Sequence, residues 1–452
     1  MKIMHLEKKH KTFIFFDSIE NIYKFIYCGS FNELARFYDL HFLILKTDDI
    51  CNCKGIITFL RNMGLKLYFF KFYPKRHDDW IKLFYMNCYC KSNKNYASYI
   101  HYHNYSKQVP SIAKTIVDFY YDSNEYLDFI SNKNGLHPDI YELVKIYRPS
   151  FFILPSNILD KISGDVLQIA NKLAIPTILL QAGWDNLCSK GYLPYKPDYI
   201  CCWGEQSKQH AVQYQQFSDD KIFLIGAPHY KGYGKFNKEK QDTNRKNSFF
   251  INSEKTKVLL FAGMFRNFNE VAILNNIELN ILKKKLPPTK IIYRPHPSRN
   301  NTRIKKYLSA PLENITVDIN TNIKLNWENY ILNSQKLLDL YMSVDGIICP
   351  MSTIIIEGMY WGISSLVISF NDKINDWGAD IVGRMPHCNE IRSIKELAVV
   401  TEEADFINKL NAFILDATKY SKNLFQKRDL FVCGTSELYS QNLLCFIKTI
   451  FG

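Results

Sequence analysis

Short apolar runs along this chain alternate with longer stretches of helical spacing. The first runs, Thr12–Phe16 (TFIFF), His41–Lys46 (HFLILK) and Leu65–Phe70 (LKLYFF), predict strands, with helices over Glu20–Tyr27 and Gly55–Met63. From His77 to about Ser131 the pattern is Tyr-rich and amphipathic and predicts several helices. After Pro138 the alternation is regular. Strands are expected at Ser150–Leu154, Pro176–Leu180, Pro197–Cys202 and Ile222–Ile225, with helices at Asp139–Tyr147, Gly164–Leu173 and Ser207–Tyr214. Strands that alternate with helical runs make βαβ units and a parallel sheet.

Lys231–Lys257 is polar, rich in Lys and Asn, and reads as a linker. A second alternation follows it. Strands are expected at Val258–Ala262, Lys290–Tyr293, Ile315–Ile319, near Ile347–Ile348 and at Leu366–Phe370. Helices are expected at Asn269–Lys284, Ser334–Met342, after Thr353, and at Ile394–Val399, Glu403–Ala417 and Glu437–Ile450. The expected organisation is therefore an N-terminal α/β domain over 1–230, a linker over 231–257 and a C-terminal α/β domain over 258–452, with the last helix free to pack back on the first domain.

Composition changes this picture little. The 452 residues are 47% hydrophobic and 22% charged, enough for two large cores. The net charge of +13 favours an anionic partner such as a nucleotide or a membrane face. No RNA-recognition or zinc-finger signature accompanies it, so nucleic acid is not expected. The 12 cysteines include only two C-x-C pairs, Cys51/Cys53 and Cys88/Cys90. That spacing is too tight for a structural zinc site, so reduced thiols and a cytosolic setting are expected. No apolar run approaches the length of a membrane span.

The candidate chemistry lies where strands end. In Tyr293-Arg294-Pro295-His296-Pro297 two prolines stiffen the loop and fix the direction of His296, while Arg294 is a permanent cation suited to phosphate. In Pro350-Met351-Ser352-Thr353 the hydroxyls can cap the next helix, whose N-terminus favours an anion; Glu357 follows one turn in. Gly263-Met264-Phe265-Arg266 follows the first strand of the second half, where Gly263 permits a close backbone approach. In the first half, Gln181-Ala182-Gly183-Trp184-Asp185-Asn186 places a carboxylate, an amide and an indole after a strand. Trp184 and Asn186 are candidate sugar or acceptor contacts.

The segments WDNL, KPDYICCWGEQSKQHA, IGAPHY, YRPHP and CPMSTIIIEGMYWG together resemble GT-B glycosyltransferases of bacterial surface-polysaccharide biosynthesis, over about Tyr141 to Phe370. They are similar as well to glycerol-phosphate polymerases of teichoic acid synthesis and, more distantly, to UDP-N-acetylglucosamine 2-epimerases. The resemblance implies two Rossmann-like domains facing a central cleft. It implies that Arg294 and His296 meet the donor phosphates, that Ser352 and Thr353 bind phosphate, and that Glu357 bonds the ribose; Gly263 and Met264, read from their turn alone, are further candidates for donor binding. The His-Pro pair followed by a Ser/Thr turn also resembles CMP-sugar sialyl- and Kdo-transferases, so CMP stands beside UDP as the donor nucleotide.

The expected activity is transfer of a sugar from a CMP- or UDP-linked donor to a saccharide or lipid-linked saccharide in capsule or lipopolysaccharide assembly. No metal or other cofactor is expected. The expected site of action is the cytoplasm, including peripheral contact with the inner face of the membrane. Asp185 is the first candidate for the base, with His101 and His103 behind it. The rival readings are a CDP-glycerol-type polyol-phosphate transferase, a 2-epimerase and a non-catalytic nucleotide-binding GT-B protein.

Overall fold

The computed structural model describes residues 9–53, 55–75, 78–93, 102–103, 106–107, 110–120, 124–156, 158, 162–192, 195–230, 256–264, 268–296, 312–318, 327–374, 378–416, 421–434 and 438–452. The chain forms two compact units, one of residues 1–231 with 430–452 and the other of residues 232–429. Most of the expected linker, 231–255, lies outside the described residues, as do Phe265, Arg266, Pro297 and His101.

The first unit is built on β1 (Lys11–Phe16), β2 (Asp39–Leu45), β3 (Lys66–Phe70), β4 (Phe151–Ser156), β5 (Thr177–Gln181), β6 (Tyr199–Cys202) and β7 (Ile222–Leu224). They pair in the order β3-β2-β1-β4-β5-β6-β7, every pair parallel. The runs read from sequence lie on these strands because a parallel sheet covered on both faces needs continuous apolar segments. Phe13 and Phe152 stack across the β1–β4 boundary at 6.1 Å. They belong to a core with Leu154, Val166, Ile169 and Leu179.

Neighbouring residues on a strand face opposite ways. Phe151 therefore turns from that core to the other face, where Phe451 stacks on it at 4.7 Å and 1°. Residues 430–452, counted from sequence with the second domain but with the last helix free to pack back on the first, lie in the first unit. The helix Tyr439–Phe451 also lays Phe446 on Phe223 at 4.1 Å. Before reaching it, the chain crosses the carboxyl ends of β6 and β7, where the Cys433 N–H donates to the Trp203 carbonyl at 2.7 Å. A side chain on Gly204 would meet the Phe431 backbone at 2.6 Å, so this crossing needs glycine. The Tyr-rich stretch holds the helices Asp78–Asn93, Ser111–Phe119 and Asn124–Asn134, with a small core of Leu83, Phe84 and Val117.

The second unit contains β8 (Lys257–Ala262), β9 (Thr289–Arg294), β10 (Ile315–Val317), β11 (Gly346–Pro350), β12 (Ser365–Ile368) and β13 (Ala398–Val400). The order is β10-β9-β8-β11-β12-β13, again parallel. One element differs from expectation. Residues 394–399 are not a helix: a short helix ends at Ser393, and Ala398–Val400 pairs with Leu366–Ile368 as the edge strand. A three-residue edge strand is too short to show a period of two. The helix Ile354–Tyr360 closes with Gly362 at φ 63°, and the Ile363 N–H returns to the Gly358 carbonyl at 2.9 Å.

Candidate functional site

Strand order reverses between β8 and β11 in the second sheet. In a doubly wound sheet the crevice at the carboxyl ends of two such strands is where a ligand fits, because the connections leave toward opposite faces. The residues chosen from sequence in this half follow β8, β9 and β11, so the fold gathers them at one edge.

The turn after β8 and the loop after β9 are in contact. The Gly263 N–H donates to the Arg294 carbonyl at 2.8 Å. A Cβ on Gly263 would lie 2.7 Å from the His296 backbone nitrogen and 3.0 Å from Pro295 Cα, so only glycine allows this approach. Met264 is buried and its N–H donates to Glu270 Oε1 at 2.6 Å. The other oxygen of Glu270 accepts from the Tyr293 hydroxyl. Glu270 is 2% exposed and opens the helix Glu270–Leu282, whose N-terminal dipole favours a carboxylate. Its role was missed because Asn-Glu before an apolar run reads only as a cap followed by an acidic first turn.

Arg294 is turned elsewhere. Nη1 donates to Asp318 Oδ2 at 2.8 Å and Nη2 to the Asn333 carbonyl at 3.1 Å, with the side chain 9% exposed. It braces β9 against the segments on either side of it. His296 is half-buried.

After β11, Ser352 is half-buried and Thr353 exposed. Neither capping geometry nor a capping bond is found at Thr353: its φ and ψ are −56° and −23°, and its side chain makes no cap hydrogen bond. A cap residue needs extended backbone to swing its oxygen over the first turn. Glu357 is fixed by the buried Tyr341, whose hydroxyl donates to Oε2 at 2.5 Å.

In the first unit the three residues chosen after β5 separate. Trp184 is 2% exposed, and its Nε1 donates to Gln206 Oε1 at 2.6 Å, so the indole has no open face for a sugar. Asn186 is 3% exposed and accepts from the Gly183 N–H through Oδ1 at 2.5 Å, which closes the turn. Asp185 keeps a partly open side chain. Lys190 Nζ lies 2.9 Å from its Oδ2, and the Ser189 hydroxyl donates to the same oxygen at 3.0 Å. A second charged pair lies close by: Glu20 and Lys24 are 2.5 Å apart, and Lys24 also donates to the Ala182 carbonyl at 2.8 Å. Lys24 holds the Glu20 carboxyl below its usual range. His229, after β7, packs on Trp203 at 5.1 Å. Burial first, and Lys24 second, keep it neutral well below the ordinary histidine range. Among the described residues no cluster of His, Cys, Asp and Glu is arranged to hold a metal ion. Likewise no described helix is long and apolar enough to cross a membrane.

The architecture is shared with solved structures along nearly its whole length. A glycosyltransferase from Rickettsia africae aligns over 98% of this chain and 100% of its own, at TM-score 0.50 and 12% identity. The fold is GT-B. A UDP-GlcNAc 2-epimerase from Neisseria meningitidis, bound to UDP-GlcNAc, aligns over 96% and 100% at TM-score 0.52 and 12% identity. MnaA of S. aureus, in a structure with UDP, aligns over 97% and 96% at TM-score 0.53 and 11% identity. No protein-family model and no curated protein sequence matches the chain. These GT-B neighbours are enzymes that act on sugars, and the identities limit the likeness to the fold.

Proposed function

We propose that this GT-B protein is a nucleotide-sugar-dependent glycosyltransferase whose second unit binds the donor. The observation that carries the reading is that Gly263, His296, Ser352 and Thr353 follow β8, β9 and β11 at the carboxyl ends of neighbouring strands, where the strand order reverses. The donor is UDP- or CMP-linked, and the acceptor is a saccharide or lipid-linked saccharide of surface-polysaccharide assembly at the cytoplasmic side of the membrane. Negative charge grows on the departing phosphate during transfer, so donors already fixed there stabilise the transition state most. His296 and the hydroxyls of Ser352 and Thr353 fill this role without a metal. Glu357, held by Tyr341, accepts from the ribose hydroxyls. Arg294 supports the loop and does not itself meet the phosphate. Asp185, oriented by Lys190 and Ser189, takes the acceptor proton.

A second reading, epimerisation of UDP-GlcNAc, is favoured by neighbours that carry that name. The two separate in one assay. The protein is incubated with UDP- and CMP-sugars, with and without saccharide acceptors, and products are followed by NMR and by release of UDP or CMP. Acceptor-dependent nucleotide release supports transfer. Conversion of UDP-GlcNAc to its 2-epimer without acceptor supports the second reading, and inert donors contradict both.

A further inference from the structure

One buried carboxylate in the second unit has no part in the chemistry above, yet it holds both loops of the donor edge. Glu270 is 2% exposed. Through one oxygen it fixes the Met264 N–H, in the turn after β8, at 2.6 Å. Through the other it accepts from the hydroxyl of Tyr293, the residue on β9 three places before His296. Gly263 lies in the gap, so a methyl group there would be 3.1 Å from Glu270 Oε2 and 2.7 Å from the His296 nitrogen. A third segment is tied to the same point. The backbone N–H of Asn269, the cap residue just before Glu270, donates to Asp372 Oδ2 in the loop after β12 at 2.8 Å.

A buried carboxylate is a costly way to pin a turn. An apolar residue would pack between helix and sheet without needing two donors and a helix N-terminus to stabilise it. What the carboxylate adds is a fixed relation between two loops, since each oxygen fixes one of them. The geometry points to Glu270 as the positioning residue of the nucleotide site. It sets the distance between the Gly263–Met264 turn and the His296 loop, and Tyr293 is its partner. This inference rests on the donor reading given above, but its mechanical part stands apart from it.

The experiment uses Glu270→Gln, Tyr293→Phe and the double variant in the full-length protein. Binding of UDP and CMP is measured by isothermal titration and stability by thermal unfolding, alongside hydrogen exchange of the 259–270 backbone. In Glu270→Gln an amide NH₂ takes the place of one acceptor oxygen and the charge is lost, so the charge-assisted hold on the loops is weakened. Each single variant should weaken nucleotide binding about tenfold, and the double variant should be little worse than either, because one linked unit is broken in all three. Exchange at Met264 should quicken in Glu270→Gln. Lower stability with an unchanged nucleotide Kd and unchanged exchange at Met264 would leave Glu270 a packing residue and overturn the inference. If the unaltered protein binds neither nucleotide, the donor reading fails by itself. The exchange at Met264 then decides the clamp: unchanged exchange refutes it, and faster exchange keeps it as a link between the loops.

Discussion

Arg294 and Asp318 form an ion pair at 2.8 Å, and it holds the guanidinium of the Tyr-Arg-Pro-His-Pro segment against the loop after β10. Arg294→Ala removes the cation from a half-open carboxylate and leaves the Asn333 carbonyl without its donor. The second unit should lose about 2 kcal/mol, less than a fully buried pair would cost because Asp318 is partly exposed. Chemical denaturation checks this. Unchanged stability with abolished nucleotide binding would return Arg294 to the phosphate.

Gly263→Ala should separate the two loops. The added methyl group meets backbone at His296 and Pro295, which cannot rotate aside as a side chain can. Nucleotide affinity should fall at least tenfold while the unfolding temperature drops by only a few degrees. A Kd equal to that of the unaltered protein would show that the turn after β8 does not border the ligand.

Glu357 makes a claim about ribose. Its carboxylate is oriented by Tyr341 at 2.5 Å. UDP should bind about tenfold or more tightly than its 2′,3′-dideoxy analogue, since a site built for hydroxyls penalises their loss. Glu357→Gln should narrow that ratio. An undiminished preference for the ribonucleotide in the variant would remove Glu357 from the ribose.

Two histidines of the first unit predict its response to acid. His229 is kept neutral by burial and by Lys24, and His41 by burial despite Asp39. In the unfolded chain both take a proton near pH 6.5. The unfolded state therefore binds more protons below that pH, and stability falls as pH drops from 7 toward 5, by up to about 1.4 kcal/mol per pH unit for each histidine. Glu20 and Asp39, whose carboxyls are held below their usual range, lose their contribution only at lower pH. His229→Gln should flatten the fall between pH 7 and 5 in denaturation curves. An identical slope would place its proton uptake elsewhere.

The sheets were legible in the sequence because the central parallel strands are apolar on both faces. TFIFF, PTILL and VLLFA had to be buried whatever the context. The edge strand Ala398–Val400 was hidden by its length and by Lys395-Glu396 just before it, which suit a helix. The donor edge was legible as positions and less so as roles. A residue's place after a strand is local, but what its side chain reaches is not. Arg294 finds Asp318 24 residues away, and Trp184 finds Gln206 22 residues away. Both look available until the fold supplies the partner. Glu270 shows the converse, since nothing local marks a first-turn glutamate as the link between two loops.

The central claim is that the second unit binds the nucleotide of an activated sugar through His296. Titration of UDP and CMP into the unaltered protein and into His296→Ala, with thermal unfolding of both, tests it most directly. Saturable binding of at least one nucleotide is expected. At a hundredfold excess over Kd it should stabilise the protein by about 2.7 kcal/mol. In His296→Ala affinity should fall about a hundredfold with the unliganded unfolding temperature unchanged. No binding of either nucleotide, or the same Kd with and without the imidazole, would contradict the account.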